Sequence, residues 1–327
     1  MMRTPQFWYQ KKRNWKAYLL SPFAVLYNGV STLYQKLCAQ KQTNVPVPVI
    51  CVGNVTAGGA GKTPVTAAIF SILARAGRKP LVFSRGYGGE IESLTHVDTD
   101  HHLAAAVGDE PLMLAGQGVN IWIGANRARG VKALSQKCGA IIMDDGYQDA
   151  KVARDINLLV VDGGKGFGNR MVMPAGPMRE NLNPALFRAD AVVIVGQDTY
   201  GIDGMVSGQL PVFQARLSPE QAVQFDAPVV AFAGIGMPDK FFKTLSAMGA
   251  EIHAQYAFAD HYQYSPSDIW KMAQKHPDTP LWTTEKDYVR LPEALKPKVQ
   301  FLPVRAVFKD EARFESWLLS RLQTTGE

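Results

Sequence analysis

The strongest chemical signal in the sequence is a glycine-rich stretch that runs from Thr56 to Thr63. It matches the phosphate-binding loop of nucleotide-binding proteins, except that Thr56 stands where the first glycine is expected. Glycines allow consecutive backbone amides to turn inward around phosphate oxygens, and the start of a helix adds its positive dipole end. The alternative is a turn that only joins a strand to a helix. The predicted nucleotide-binding residues are Thr56, Ala57, Gly58, Gly59, Ala60, Gly61, Lys62 and Thr63.

Side chains in and after this stretch are expected to act on ATP and its metal ion. Lys62 is predicted to be catalytic because it would reach the β- and γ-phosphates, and the Thr63 hydroxyl is predicted to hold Mg²⁺. Asp144 and Asp145 end a short apolar run and are predicted as further metal ligands. A strand delivers such acids to the carboxyl end of the sheet, where Mg²⁺ needs oxygen ligands. A pair of acids that merely starts a solvated turn is the alternative.

These residues need a scaffold in which strands alternate with helices. Helical apolar spacing predicts a helix at 64–76, and short β-branched runs predict buried strands on both sides of it. The alternation predicts an α/β fold of the phosphate-loop NTPase type, with a doubly wound, mostly parallel sheet. The predicted strands are 49–52, 80–84, 120–124, 140–143, 157–161 and 191–195.

A second, smaller α/β domain is predicted towards the end of the chain. Its strands are expected at 228–233, 251–256, 281–284 and 300–304, with helices at 239–248 and 311–322. The predicted domains are a basic aromatic membrane-interface helix at 1–40, a phosphate-loop domain at 41–205 and the smaller domain at 206–327, with its last helix free to pack back on the larger one.

Positive charge is concentrated at the start of the chain, although the chain as a whole has a net charge of only +6. Residues 1–89 carry twelve Lys and Arg and no Asp or Glu. Such a segment seeks anionic partners, which include nucleic acids, phosphorylated ligands and acidic membrane surfaces.

The aromatic residues of the first segment favour a membrane surface among these partners. Trp and Tyr side chains beside Lys and Arg suit the headgroup layer of a bilayer. The apolar run from Leu19 to Val30 is interrupted by Pro22 and is too short to span, since a spanning helix needs about 20 apolar residues. A helix that packs only on its own domain is the alternative. The basic residues concerned are Lys11, Lys12, Arg13, Lys16 and Lys36.

Further short motifs follow the phosphate loop in a fixed order. They are Ser84-Arg-Gly-Tyr-Gly88, Gly108-Asp-Glu-Pro111, Asn126-Arg127, Asp144-Asp-Gly-Tyr-Gln148, Gly176-Pro-Met-Arg-Glu180, Asp260-His261 and Thr283-Thr-Glu-Lys-Asp287. Together with the segment from Val52 to Pro64, this set resembles the tetraacyldisaccharide 4′-kinases, the lipid A 4′-kinases of Gram-negative bacteria, over nearly the whole chain. The chain departs from the pattern at Tyr147, where Phe is expected, and at Asp149, where His is expected.

The resemblance implies a reaction and a base. An ATP-dependent kinase of this family transfers the γ-phosphoryl group to the 4′-hydroxyl of an acylated glucosamine disaccharide 1-phosphate in lipid A biosynthesis. Asp109 and His261 would then form an acid–histidine pair that accepts the hydroxyl proton. From the residues alone, Asp109 could equally cap the following helix and His261 could be a loop histidine without a chemical task.

The resemblance also implies ligands and a location. The expected cofactors are ATP and Mg²⁺, and the expected partners are the glycolipid substrate and the anionic surface of the inner membrane at its cytoplasmic face. No nucleic acid and no obligate protein partner are expected.

Arg127, Arg179 and Glu180 complete the candidate site. The two arginines are predicted to be catalytic because a guanidinium can fork onto phosphate oxygens. Glu180 is predicted either to assist Mg²⁺ binding or to hold an arginine. An ion pair at the surface is the alternative for each.

Two other classes of protein fit part of the pattern. A membrane-associated switch ATPase would combine such a loop with a membrane helix, but its loop carries a lysine where this chain has Ala57, and its helix is usually C-terminal. A nucleic-acid-binding ATPase would explain the basic first quarter, yet no nucleic-acid fold signature accompanies it. ATP turnover without a lipid acceptor would favour the first class, and a salt-sensitive gel shift with DNA the second.

Overall fold

A computed structural model describes residues 5–10, 13–220 and 223–324 of the chain. These residues form two β-sheets with helices around them. The strands are β1 (Val49–Gly53), β2 (Pro80–Ser84), β3 (Thr95–His96), β4 (Ile121–Ile123), β5 (Ala140–Asp144), β6 (Ile156–Asp162), β7 (Ala191–Val195), β8 (Val212–Pro219), β9 (Val229–Ala233), β10 (Ile252–Ala257), β11 (Leu281–Thr284), β12 (Val299–Leu302) and β13 (Val304–Phe308).

The helices alternate with these strands over much of the chain. They are α1 (Trp15–Ala39), α2 (Lys62–Arg75), α3 (Ala104–Val107), α4 (Asp109–Gly116), α5 (Arg127–Leu134), α6 (Leu182–Arg188), α7 (Ile202–Val206), α8 (Pro238–Ala247), α9 (Pro266–Lys275), α10 (Glu285–Tyr288) and α11 (Glu311–Thr324). Short 3-10 turns lie at Gln6–Tyr9 and Glu293–Lys298.

The larger sheet has nine strands in the order β13-β8-β7-β6-β1-β5-β2-β4-β3. Its interior pairs are parallel, and the edge pairs β13–β8 and β3–β4 are antiparallel. Strands β1, β2, β5 and β7 are buried at every residue, as expected for a parallel sheet covered on both faces. The predicted doubly wound α/β fold is confirmed.

Strand β1 sets the place of the phosphate loop. It lies between β5 and β6, and its Val52 pairs with Asp144 of β5. The loop therefore leaves β1 beside the acidic end of β5. The crevice at the carboxyl ends of parallel strands is where open α/β sheets bind ligands. Helix α2 returns along the sheet and buries Ile69 and Leu73 in the same apolar core as Val52.

The smaller sheet has four parallel strands in the order β10-β9-β11-β12. The strand predicted at 300–304 is divided at Pro303, because proline has no amide to donate to a ladder. β12 stays in the smaller sheet, whereas β13 pairs with β8 at the edge of the larger sheet.

The larger sheet extends beyond the boundary predicted at residue 206. Strands β8 and β13 both fall within the range 206–327, and β8 pairs with β7 of the larger sheet. Helix α11 also lies against this sheet, since Phe314 and Leu318 belong to the apolar core that contains β1. A division of the chain at residue 206 therefore does not coincide with the end of the larger sheet.

Helix α1 runs without a break through Pro22, which lies inside the helix predicted at 1–40. Proline leaves the Tyr18 carbonyl without its usual amide partner, and the Ser21 hydroxyl donates to that carbonyl instead, at 2.7 Å. Of all the residues of α1, only Ala17 and Ala24 are buried. No helix among the described residues combines the length and the apolar character needed to cross a bilayer. Lys11 and Lys12 lie outside the described residues.

Candidate active site

The phosphate loop joins β1 to α2 and takes up backbone angles that favour glycine. Gly58 has a φ of +102° and Gly61 a φ of +83°, a region that side chains with a Cβ rarely populate. Within the described part of the chain, the backbone amides of residues 58–63 donate to no protein acceptor. They lie at the start of α2, where amides and the helix dipole together favour an anion.

The first residues of the loop contact another segment of the chain. The Ala57 amide donates to the Pro177 carbonyl at 2.7 Å, and Thr56 forms an antiparallel bridge with Met178. The backbone of Thr56 and Ala57 therefore anchors the loop to the 177–178 segment. Residues 58–63 remain as the candidate ligands of the nucleotide phosphates.

Lys62 and Arg179 meet at one carboxylate beside the loop. The Asp145 Oδ1 atom lies 3.5 Å from Lys62 Nζ and 3.1 Å from Arg179 Nη1. Burial alone would raise the pKa of Asp145, but the charges of Lys62, Arg179 and Arg127 outweigh it and hold this pKa below its usual range. Asp145 thus stays ionised and holds two predicted catalytic cations near the loop, while its role as a metal ligand stays a prediction.

Asp144, the other acid of the pair, is only 2% exposed. Its Oδ1 accepts a hydrogen bond from the Thr66 hydroxyl at 2.9 Å. Burial, together with the negative charges of Glu110 and Asp145, raises the pKa of Asp144 to about 7. A divalent cation near this carboxylate would relieve that repulsion, so the site suits the predicted metal ion.

The acidic residues around Asp144 do not form a complete metal cage. No group of three or more His, Cys, Asp or Glu within the described ranges is arranged to hold an ion alone. Mg²⁺ in kinase sites usually takes one or two carboxylates and completes its shell with phosphate oxygens and water. Thr63 and Asp144 therefore fit an ion that arrives with the nucleotide.

Arg127 holds the carboxyl end of β5. Its Nη2 donates to the carbonyl oxygens of Asp144 and Asp145 at 3.3 and 2.8 Å, and its Nη1 lies 3.3 Å from an Asp149 oxygen. The side chain is buried. Arg127 thus fixes the backbone of the two acids, and its contact with phosphate stays a prediction.

Glu180 holds an arginine, which is one of the alternatives that the sequence left open. Its Oε2 lies 2.6 Å from Arg188 Nη2, and its Oε1 accepts from Gln148 Nε2 at 3.0 Å. Both oxygens of Glu180 therefore have protein partners, and its predicted help in Mg²⁺ binding stays a prediction.

Asp109 and His261, which are 152 positions apart in the chain, lie in direct contact. Asp109 Oδ2 is 2.8 Å from His261 Nδ1. Asp109 is the first residue of α4 and follows Gly108, which occupies the N-cap position. Its side chain contacts His261, so the capping alternative does not describe it. When Nδ1 donates to Asp109, the Nε2 atom of His261 is left to accept a proton.

Arg290 is a further member of this pair that the sequence analysis missed. Its side chain is 0% exposed, and its Nε lies 2.8 Å from the same Asp109 Oδ2 that contacts His261. Burial alone would raise the pKa of Asp109, but the hydrogen bond from His261 and the charges of Arg290 and Lys286 lower it. Asp109 is thus kept ionised while it contacts the imidazole.

A buried polar network fixes Arg290 and the loop of His261. Asp287 accepts from Arg290 Nη1 at 3.1 Å and from the Gly234 amide at 2.9 Å. The Gly234 carbonyl in turn accepts from the His261 amide at 3.1 Å and from Arg290 Nη1 at 3.0 Å. Thr284 caps α10 by accepting from the Asp287 amide at 3.0 Å. The signal in the sequence was the motif that ends at Asp287, with Arg290 one helical turn further on.

The pair is assembled across two sheets. Asp109 lies on α4 beside the larger sheet, whereas His261 and Arg290 follow strands of the smaller sheet. A second contact joins the same elements, since Lys286 Nζ of α10 lies 2.8 Å from Glu110 Oε1 of α4. Glu110 is next to Asp109 and contributes to the raised pKa of Asp144, so the pair lies close to the acids beside the phosphate loop.

Comparisons with known proteins identify the family of the chain. A family model described as tetraacyldisaccharide-1-P 4′-kinase matches residues 16–323. The chain belongs to the tetraacyldisaccharide 4′-kinase family. It is 42% identical to the tetraacyldisaccharide 4′-kinase of Rhodospirillum rubrum over 98% of each chain, and 42% identical to that of a Bradyrhizobium species, again over 98% of each. The resemblance and the kinase class drawn from the sequence are confirmed.

A solved structure supports the same family. The chain is similar to LpxK from Aquifex aeolicus, whose crystal structure was determined in complex with ATP. The two share 25% sequence identity and a TM-score of 0.74, over 94% of this chain and 99% of that one.

The two departures from the family pattern have structural partners in this member. The Tyr147 hydroxyl donates to the Ala185 carbonyl at 2.7 Å in a buried position, which a phenylalanine could not do. Asp149 pairs with Arg127. In this tetraacyldisaccharide 4′-kinase, position 149 therefore supports the arginine that holds the end of β5.

Replacing Asp144 with Asn is expected to stabilise the protein while no ligand is bound. The pKa of Asp144 is raised from 3.8 to about 7 in the folded state. As pH rises through that interval, the buried carboxyl is forced to ionise and the folded state loses stability. The variant escapes this loss. At pH 8 it should exceed the wild type by roughly 1–3 kcal/mol, and the gain should shrink towards pH 5, as measured by urea unfolding in EDTA without nucleotide.

Asp145→Asn is the matched control for this measurement. The pKa of Asp145 is lowered, so its ionised form stabilises the fold at neutral pH and its removal should reduce the free energy of unfolding at pH 8. A loss of stability in Asp144→Asn at pH 8 would contradict the account of this site.

Proposed function

We propose that the chain transfers the γ-phosphoryl group of ATP to the 4′-hydroxyl of an acylated glucosamine disaccharide 1-phosphate. The observation that carries the proposal is the contact between Asp109 and His261 beside a phosphate loop. A nucleotide-dependent switch that transfers no phosphoryl group to an acceptor has no need for a base that acts on an acceptor hydroxyl. An enzyme that activates a sugar hydroxyl does need one, because a neutral hydroxyl is a poor nucleophile.

Different residues of the site serve different parts of the reaction. The amides of residues 58–63 hold the triphosphate, and Lys62 offsets charge on its terminal oxygens. The acceptor hydroxyl gives its proton to the Asp109–His261 pair, and Asp109 stabilises the imidazolium that forms. Arg179 lies on Asp145 beside Lys62 and is placed to neutralise charge that develops during transfer.

The Mg²⁺ ion would be held by the Thr63 hydroxyl and the Asp144 carboxylate. When bound, it would supply positive charge that offsets the negative charge of the phosphates. The pKa of Asp144 is raised, and a neighbouring cation would lower it again, so that the carboxylate is ionised when the metal ion is bound.

Membrane attachment through α1 is part of the same proposal. The large apolar side chains of α1 are exposed, among them Leu19, Phe23, Leu26 and Val30. An acyl-chain substrate resides in a bilayer, and a helix with apolar and aromatic residues beside lysines suits the bilayer interface. We propose that α1 seats the enzyme on the cytoplasmic face of the inner membrane, without spanning it.

Phosphoryl transfer to lipid is expected to require Lys62, Asp109 and His261. Purified protein in detergent, given γ-labelled ATP and a tetraacylated diglucosamine 1-phosphate, should place label on the lipid. Lys62→Ala should abolish transfer, and Asp109→Ala or His261→Ala should lower turnover by about 10²- to 10⁴-fold, the usual loss of a general base.

Lys132→Ala is the control, because Lys132 is an exposed lysine of α5. It should retain wild-type turnover. Near-normal transfer in both Asp109→Ala and His261→Ala would remove the proposed base. ATP hydrolysis without label on any lipid would favour the switch ATPase instead.

Substitution of an exposed leucine on α1 by aspartate is expected to weaken membrane binding. Leu26 is 67% exposed, and losing the transfer of one leucine, worth about 2 kcal/mol, should lower binding to anionic vesicles by at least tenfold in flotation. Leu103→Asp is the matched control, since Leu103 is 61% exposed and lies outside α1. Equal flotation of the two variants would contradict the role of α1.

A further inference from the structure

The 3-10 turn Gln6–Tyr9 lies against the phosphate loop, although it precedes α1 and is far from the loop in sequence. The Tyr9 hydroxyl donates to the Ala57 carbonyl at 3.1 Å. The turn itself is held by Tyr200, whose hydroxyl donates to the Tyr9 carbonyl at 2.9 Å. Lys165 Nζ lies 5.0 Å from the centre of the Tyr9 ring. The segment that leads into the proposed membrane helix therefore also reaches the nucleotide site.

The Tyr9 hydroxyl is suited to donate this hydrogen bond. Burial and the negative charge of Asp162 raise the pKa of Tyr9 to about 12, so the phenol stays protonated over the whole working range of pH. The carbonyl that it contacts has no competing donor from within the loop among the described residues.

The peptide unit that follows Ala57 decides what the loop presents to a phosphate. In a planar trans peptide, the carbonyl oxygen of Ala57 and the amide of Gly58 point in opposite directions. A donor that holds the carbonyl on the outer side therefore turns the Gly58 amide inward. Gly58 has a φ of +102°, and glycine permits such a peptide to rotate easily, so an external contact is needed to fix it.

A second route from the same turn reaches the other side of Ala57. Trp8 Nε1 donates to the Pro174 carbonyl at 3.1 Å, and the Trp8 carbonyl accepts from the Asn169 amide at 2.7 Å. Residue 168 must be glycine here, because a Cβ would lie 2.5 Å from the Trp8 carbonyl oxygen. The loop so held carries Pro177, whose carbonyl accepts from the Ala57 amide at 2.7 Å.

We propose that Tyr9 is a positioning residue for phosphoryl transfer, which orients the Ala57–Gly58 peptide so that the phosphate loop is preformed for ATP. Trp8 assists it through the 168–178 segment. Neither residue touches the reacting atoms. The inference rests on the proposed function, because it requires that the loop binds the triphosphate.

Tyr9→Phe is the direct test, with Tyr256→Phe as the matched control. Tyr9→Phe keeps the ring and removes the donor, and a hydrogen bond worth about 1 kcal/mol corresponds to roughly a fivefold change in affinity. Calorimetry with a non-hydrolysable MgATP analogue should show that loss for Tyr9→Phe and wild-type affinity for Tyr256→Phe, which also removes one phenol hydroxyl. The Tyr256 hydroxyl lies on β10, 2.9 Å from His276 Nε2.

The kinetic readout separates positioning from general stability. Tyr9→Phe should raise the KM for ATP by roughly fivefold, while kcat at saturating ATP stays within about twofold of the wild type. Trp8→Phe, which removes only the Nε1 donor, should raise the KM in the same direction by about two- to fivefold. It provides an independent reading should Tyr9→Phe fold poorly.

The outcomes distinguish this inference from the function on which it rests. Equal nucleotide affinities in the wild type, Tyr9→Phe and Trp8→Phe would overturn the inference and leave the proposed function standing. A wild type that binds no MgATP analogue would overturn both. A fall in melting temperature with unchanged affinity and KM would assign Tyr9 to general stability and would also overturn the inference.

Discussion

The proposed chemistry of this enzyme depends on the contact of Asp109 with His261 and Arg290. Asp109 opens a helix beside the larger sheet, and its two partners follow strands of the smaller sheet. One carboxylate oxygen, Oδ2, lies 2.8 Å from each partner, so neither sheet contains a complete base. The phosphate loop, by contrast, is built on the larger sheet alone. In the proposed reaction, the larger sheet alone therefore carries the phosphate loop, whereas the acid–histidine pair requires both sheets.

Holding these charges in a buried place costs folding free energy. Arg290 is fully buried and its Nη2 has no hydrogen-bond partner within the described ranges, while His261 has a φ of +58°. Backbone strain of this kind costs on the order of 1–3 kcal/mol and is typically found at functional sites. The raised pKa of Asp144 reports a similar cost at the phosphate loop. Burial of the apolar core around β1 and α11 stabilises the fold and offsets these costs.

Much of the architecture, but only part of the site, could be predicted from the sequence. Buried β-branched runs and the glycine-rich turn define their elements locally, so the strands at 80–84 and 191–195 and helix α2 were predicted close to their bounds. The pairing of β8 and β13 across the predicted domain boundary is a tertiary result that no local pattern encodes. For the same reason Arg290 and Tyr9 escaped notice, because their importance lies in contacts with residues far away in sequence. Asp109 and His261 were predicted from the resemblance to a family. Their spacing in the sequence alone could not indicate that they form a pair.

A double-mutant cycle on turnover tests most directly whether Asp109 acts through His261. The rates of Asp109→Ala, His261→Ala and the double variant would be compared with the wild type at saturating ATP and lipid acceptor. If the two residues form one base, the double variant should be no more than about threefold slower than the slower single variant, since residues that act as a unit are strongly non-additive. Losses that multiply in the double variant would show two independent contributions and would contradict the shared base that links the sheets.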